Sequence, residues 1–353
     1  MNPTSPQAAK ERHKAEVARW KKIVAPFEKP SASRAIWQLV STLGAYLITW
    51  ALMWWMLQAS WWFTLPFIVV SGMIMTRIFV LFHDCCHGSF LPSNRANRII
   101  GYLLGVLVFT PYRHWRWEHS VHHAHAGDLD RRGVGDVWTM TVDEYQAAHW
   151  FTRLKYRLIR NPFLLFLVFP VLLFVIRERF PSKGASKDIL RALWLTNLGI
   201  GVMVAVGVWL LGWQYAVLLV ASMSVAASFG VWLFYVQHQY EGVYWERHHH
   251  WEYTSAALLG SSYYDLPVVL DWFSGNIGYH HVHHLSSKVP NYNLKRCHES
   301  HELFKKSKVL TLKSSLSCAK FRLWDERNRE LVGYGRAREI AADEMAAKAG
   351  KAA

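Results

Sequence analysis

Four stretches of this chain, Trp37–Leu57, Trp61–Phe82, Ala192–Gly212 and Tyr215–Val236, are apolar over lengths that can cross a bilayer. A crossing helix takes about 20 such residues at about 1.5 Å rise each. Three of the four contain no charged residue. The second carries Arg77 near its end, where a long side chain is expected to snorkel to water. Two shorter apolar runs, Ile99–Thr110 and Pro162–Ile176, fall below spanning length and are predicted to be interfacial or re-entrant. The 19 Trp and 15 Tyr supply many residues that favour the membrane–water boundary.

Charge then orders these segments. The connections at 58–60 and 213–214 are short and contain neither Lys nor Arg. The flanks of Pro162–Ile176 are basic on both sides, with Arg153, Lys155, Arg157 and Arg160 before it and Arg177, Arg179, Lys183, Lys187 and Arg191 after it. The positive-inside rule puts both flanks in the cytoplasm, so the run dips in and returns or lies flat. The expectation is an all-α integral membrane protein with two transmembrane hairpins, both termini and all large loops being cytoplasmic. Its organisation reads as a basic N-terminal segment (1–36), hairpin one (37–82), a cytoplasmic region (83–191), hairpin two (192–236), a second cytoplasmic region (237–324) and a charged tail (325–353). The first thirty residues are basic and lack an apolar core, so no cleavable signal peptide is expected.

The formal net charge of +15 raises the question of nucleic acid. Lys and Arg lie mostly beside apolar spans, however, where anionic lipid is the natural counterpart, and no nucleic-acid partner is expected. Cys85 and Cys86 are adjacent, and with Cys297 and Cys318 they form no C-x-x-C pair, which fits a reduced setting.

Histidines concentrate at the ends of the spans. HDCCH places His83 and His87 four apart, on one face of a continuing helix. HSVHH holds His119, His122 and His123, and HHVHH holds His280, His283 and His284. In each H-x-x-H-H the adjacent histidine splays about 100° away, so one turn can offer ligands to two neighbouring metals. A lone HxxxH is usually an exposed helix face; three clusters on one predicted side of the membrane are not. Neutral imidazole suits Fe, Zn, Cu and Ni, and eight such residues are too many for one ion. His238 follows the fourth span as His83 follows the second, which makes it a candidate ninth ligand. Five ligands on one metal and four on the other would leave positions open for oxygen. The run His248–His250 reads as a solvated loop, and His281 is expected to point elsewhere. His114 and His125 are assigned supporting or surface roles. Asp84, Asp128, Asp130, Asp136 and Asn276 are candidates to orient imidazole N–H groups.

The stretches HDCCHGSF, RWEHSVHHAHAGDLDRRG and GNIGYHHVHHLSSKVPNYNL resemble the membrane fatty acid desaturase family, most of all its bacterial acyl-lipid Δ12 (omega-6) branch. The resemblance runs from about the first span to Leu294. It implies that His83, His87, His119, His122, His123, His280, His283 and His284 are metal ligands and catalytic, with His238 as an additional ligand. It further implies two iron ions and oxygen-dependent removal of two hydrogens from adjacent methylenes of an acyl-lipid chain. The electrons would come from an external ferredoxin or cytochrome b5-like protein, and the bacterial inner membrane would be the location. A tunnel for the acyl chain is expected, with Trp115, Trp117, Tyr279 and Trp272 near its entrance or anchoring the interface. Cys86 departs from the Gly more usual there. An acyl or carotenoid hydroxylase or ketolase would share the metals. A metal transporter or sensor would need ionisable residues inside the spans, which are nearly charge-free.

Overall fold

A computed structural model describes residues 19–182 and 184–352; half of the basic N-terminal segment, residues 1–18, and Lys183 of the basic flank lie outside them. The architecture is all-α, with small sheet fragments at one end. Four helices are long and apolar enough to cross a membrane. They are α1 (Ala32–Leu57), α2 (Leu65–His87, preceded by a 3-10 turn at Trp61–Thr64), α6 (Lys187–Leu211) and α7 (Gln214–His238). Each overruns the apolar run that marks it. Ser31 caps α1 and Ser186 caps α6, each accepting a hydrogen bond from a first-turn amide. At the other end of the second span, α2 continues past Phe82 to His87 and stops at Gly88, whose left-handed φ of 72° closes the helix.

The spans divide into two kinds. α2 and α7 sit inside the bundle, whereas α1 and α6 present most of their surface outward, with Trp37 and Trp209 70% and 82% exposed. A glycine brings the inner pair close. A Cβ at Gly72 would lie 2.5 Å from the Val225 Cβ and 2.6 Å from the Ser222 carbonyl oxygen. Thr76 donates across the same seam to the Ala226 carbonyl at 3.3 Å, as small residues do where membrane helices approach. Gly72→Leu is therefore expected to destabilise the protein by roughly 1–3 kcal/mol through overpacking. A lowered melting temperature in detergent checks this, with Gly44→Leu as the neutral control because Gly44 faces open space.

Arg77 corrects the sequence reading. It is buried, donates to Thr42 Oγ1 at 2.9 Å and to the Trp272 carbonyl, and its guanidinium lies 4.4 Å from the Trp272 ring centroid. Partners inside the protein, rather than water at the interface, take up its donors.

Between the hairpins, α3 (Asn94–Leu107) and α4 (Tyr112–His125) pack beneath the bundle, joined through Phe109 in left-handed backbone at φ 55°. α5 (Trp150–Ile159) and the helical stretch from Leu164 to Arg179 meet at a 59° bend around Pro162. Within that stretch, π-turns at Leu164–Val168 and Leu172–Ile176 flank Pro170. After α7 come α8 (Tyr253–Leu259), α9 (Val268–Ser274), α10 (His280–Leu285), α11 (Asn291–Glu299) and α12 (Tyr334–Ala352). The strands are β1 (Met140–Thr141), β2 (Tyr263–Asp265), β3 (Val309–Thr311), β4 (Leu323–Asp325) and β5 (Glu330–Val332). β2 and β3 pair in parallel, and the other sheet has the order β1-β4-β5. The β4–β5 hairpin straddles Asp325, and Trp324, Leu331, Val332, Ala337 and Ile340 are buried. Residues beyond Asp325 thus join the folded body before the charged stretch begins, because apolar residues there alternate with charge.

Candidate metal centre

Nine histidines converge from α2, α4, the last residue of α7, and α10. Their nitrogens fall into two sets, and within each set the candidate ligand atoms lie within 4.8 Å of one another. The first set holds His83, His87, His119, His123 and His283; the second holds His122, His238, His280 and His284. Helix geometry explains the division. In HSVHH and HHVHH the i, i+4 pairs His119/His123 and His280/His284 each stay on one face, while the i+3 residue, His122 or His283, turns toward the other set. Each box thereby serves both sets. The sets abut where the His123 and His284 rings stack with centroids 4.2 Å apart.

Hydrogen bonds at Nδ1 orient several of these rings. His238 Nδ1 donates to the Gly260 carbonyl at 3.1 Å, His122 Nδ1 lies 2.5 Å from Asp136 Oδ1, and His83 Nδ1 lies 3.2 Å from Asp84 Oδ1. Asp84 is itself held: its Oδ2 accepts from the Asn291 backbone N at 2.6 Å and from Nδ2 at 2.9 Å. Asn291 Oδ1 in turn accepts from Gln38 Nε2 at 2.8 Å. A chain of polar contacts thus runs from α1 through α11 to the first set, as metal-binding imidazoles require of their supports.

The donor set fits a cation. A carbonyl can only accept, so His238 carries its proton on Nδ1 and leaves Nε2 as a lone pair. The Asp136 carboxylate imposes the same tautomer on His122. Yet His122 Nε2 and His238 Nε2 face each other at 3.2 Å, and His238 Nε2 and His280 Nε2 at 2.9 Å. The lone pairs of His122 and His238 repel at 3.2 Å unless a positive centre lies between them. In the first set His119 Nε2 is 3.0 Å from both His83 Nε2 and His123 Nε2, and His123 Nε2 is 3.0 Å from His283 Nε2. His87 Nε2 and His284 Nε2 are buried without a hydrogen-bond partner. Burial first, then the neighbouring imidazoles, holds His119, His123, His280, His283 and His284 well below the ordinary imidazole pKa. They are neutral near pH 7, the form that binds metal.

The remaining residues sort themselves clearly. His281 turns away, with Nε2 2.9 Å from His298 Nδ1, and burial then the His298 charge lower its pKa to about 3. His248, His249 and His250 are exposed; His248 is held by Asp128 at 2.8 Å. Asp130 accepts from Arg247, and neither Asp128 nor Asp130 touches the two sets. Asn276 supplies a left-handed turn at φ 61° before α10. His125 bonds back to the Val121 carbonyl. Trp117 is exposed, Tyr279 stacks on Tyr263, and Trp272 covers Arg77. Trp115 stacks on His119 with centroids 4.2 Å apart, and so walls the first set. His114 is buried between Ser182 Oγ at 2.6 Å, Glu118 and Glu178. It fastens α4 to the bent stretch that ends at Arg179, a supporting role. All four cysteines are buried and free, with Cys86 Sγ 3.9 Å from the Tyr112 carbonyl.

Four apolar spans with a buried polyhistidine centre at the ends of the inner two define a membrane protein whose histidines could hold metal. Comparison with known proteins makes the class specific. The fatty acid desaturase family model matches residues 59–313, and the chain belongs to that family, whose members are oxidoreductases. A fatty acid desaturase of Bacillus subtilis (strain 168) is 46% identical over 314 residues, 89% of each chain. An sn-1 oleoyl-lipid 12-desaturase of Synechocystis is 28% identical over 293 residues, 78% of this chain and 77% of that one. An sn-1 acyl-lipid omega-3 desaturase (ferredoxin) from the same organism is 27% identical over 264 residues, 68% of each.

Proposed function

We propose that the two histidine sets each hold an iron ion, and that the chain inserts a cis double bond into the acyl chain of a membrane lipid. The observation carrying this reading is the pair of buried imidazole sets sharing both H-x-x-H-H boxes. When bound, the irons supply oxidation of an unactivated C–H bond with O2, chemistry that side chains do not provide. The protein's residues hold and shield that chemistry. Asp84, Asp136 and the Gly260 carbonyl fix the ring orientations, Trp115 covers the first set, and Phe234 packs against His122 and His238. His83, His87, His119, His122, His123, His238, His280, His283 and His284 are the proposed ligands.

In this reading the termini and both regions that bear the boxes face the cytoplasm of a bacterial inner membrane. The hairpins in this reading are 37–82 and 192–236, and the cytoplasmic regions are 83–191 and 237–324. An external donor of the ferredoxin type, as in the name of the Synechocystis omega-3 relative, delivers electrons. The Δ12 position is proposed from the relatives named oleoyl-lipid 12-desaturases.

Expression in a host lacking polyunsaturated lipids, followed by mass spectrometry with double-bond localisation, tests this. Loss of two hydrogens from an acyl chain supports desaturation, and a double bond elsewhere than Δ12 overturns the positional part alone. Gain of one oxygen instead identifies a hydroxylase of the same architecture.

A further inference from the structure

We propose that a pocket walled by arginines at the end of α5 binds the phosphate of a membrane phospholipid headgroup. Arg157, Arg160, Arg322 and Arg338 line a cavity of about 370 Å³ with Tyr334 and Asn161, and no carboxylate faces it. Arg160 is the central observation. It is fully buried, and its Nη2 donates only to neutral oxygens: Gln239 Oε1 at 2.9 Å, the Phe321 carbonyl at 3.1 Å and the Tyr235 hydroxyl at 3.3 Å. Its Nε and Nη1 are buried with no hydrogen-bond partner, and so is the Tyr334 hydroxyl. Among the described residues neither Arg160 nor Arg322 has an ion-pair partner.

A buried guanidinium without a counter-charge is costly, and a second one beside it adds repulsion. Burial lowers the pKa of Arg322, and the like charge of Arg160 adds to that. Donors left idle on a planar guanidinium fork are the kind that pair with the oxygens of a phosphate. The walls are also tied in place: the Tyr156 hydroxyl, at 3.1 Å from the Met140 amide that donates to it, donates to the Arg322 carbonyl.

The setting decides the source of the phosphate. Trp150, Leu154 and Leu158 recur at i, i+4 and i+8 along α5, and with Phe151 they are exposed on one face. Such a face belongs at the boundary between acyl chains and headgroups. Pro162 in the pocket wall opens the bent apolar stretch, and Phe163 beside it is exposed. The pocket therefore opens at the depth where phospholipid phosphates lie. This inference rests on the membrane placement and not on the desaturation chemistry.

The test uses the full chain in detergent, with bound lipid read by mass spectrometry of the intact complex. Dioleoyl phosphatidylglycerol is expected to bind saturably, one molecule per chain. The exposed-rim double variant Arg157→Gln/Arg338→Gln should weaken it roughly tenfold or more, and Arg160→Gln further. Arg153→Gln, exposed on the same helix outside the pocket, should leave it unchanged. If Arg160→Gln fails to fold, the rim variant decides. Equal retention of dioleoylglycerol, displacement by inorganic phosphate at matched concentration, or undiminished binding by the rim variant would each overturn the proposal.

Discussion

His283→Ala is expected to eliminate the desaturated product, lowering its accumulation by roughly a hundredfold or more, beyond the 10–100-fold typical of losing a mere supporting contact. His283 is the residue by which the third box reaches the first set, its Nε2 being 3.0 Å from His123 Nε2. Its removal should cut the iron content of purified protein by about half while the second set, which has all four of its own histidines, stays loaded. The informative comparison is His281→Ala, in the same box. His281 faces His298 rather than either set, so that variant should keep both its iron and its product. A His283→Ala enzyme that still forms double bonds would show that the two-set assignment is wrong.

If the two sets hold iron as proposed, stripping it should lower the protein's melting temperature in detergent by roughly 5–10 °C. A ligand present at about a thousand times its dissociation constant stabilises the folded state by about 4 kcal/mol. In a chain of this size each kcal/mol moves the midpoint by a few degrees at most. The reason for expecting an effect this large lies in the opposed lone pairs of His122 and His238. With the cation gone they repel within a buried space, and α4 and α7 are the elements they push apart. Differential scanning fluorimetry before and after chelation, then after returning Fe(II), reads the change. A midpoint indifferent to the chelator would mean that the imidazoles are held by packing alone.

Much of this arrangement is visible in the linear sequence because its signals are local. Twenty-residue apolar runs announce spans, and four-residue histidine spacings announce shared helix faces. Even His238 was reachable, since a residue just past the fourth span must emerge where His83 emerges past the second. The features that escaped are those joining distant positions. The Asp84–Asn291 clamp bridges 207 residues and the Arg77–Trp272 contact 195. An isolated arginine near a helix end gives no hint of an internal carbonyl waiting for it. Likewise, the spacing H-x-x-H-H says that one histidine diverges but not which set it joins. The orientation of His238 depends on the backbone carbonyl of Gly260, a group every residue possesses and no sequence pattern marks.

The sorting of spans into an inner and an outer pair has a consequence if membrane lipid is the substrate, as proposed. Each double bond thins and loosens the surrounding bilayer, and helices answer thickness changes by tilting, at fractions of a kcal/mol per Å. Here α1 and α6 meet the lipid with most of their surface, while α2 and α7, joined at Gly72, carry His83, His87 and His238. α1 cannot lean alone, because its Gln38 holds Asn291 and its Thr42 holds Arg77. Asn291 in turn grips the Asp84 that orients His83, so softening of the bilayer is transmitted to the histidines and the catalyst feels the medium that it changes.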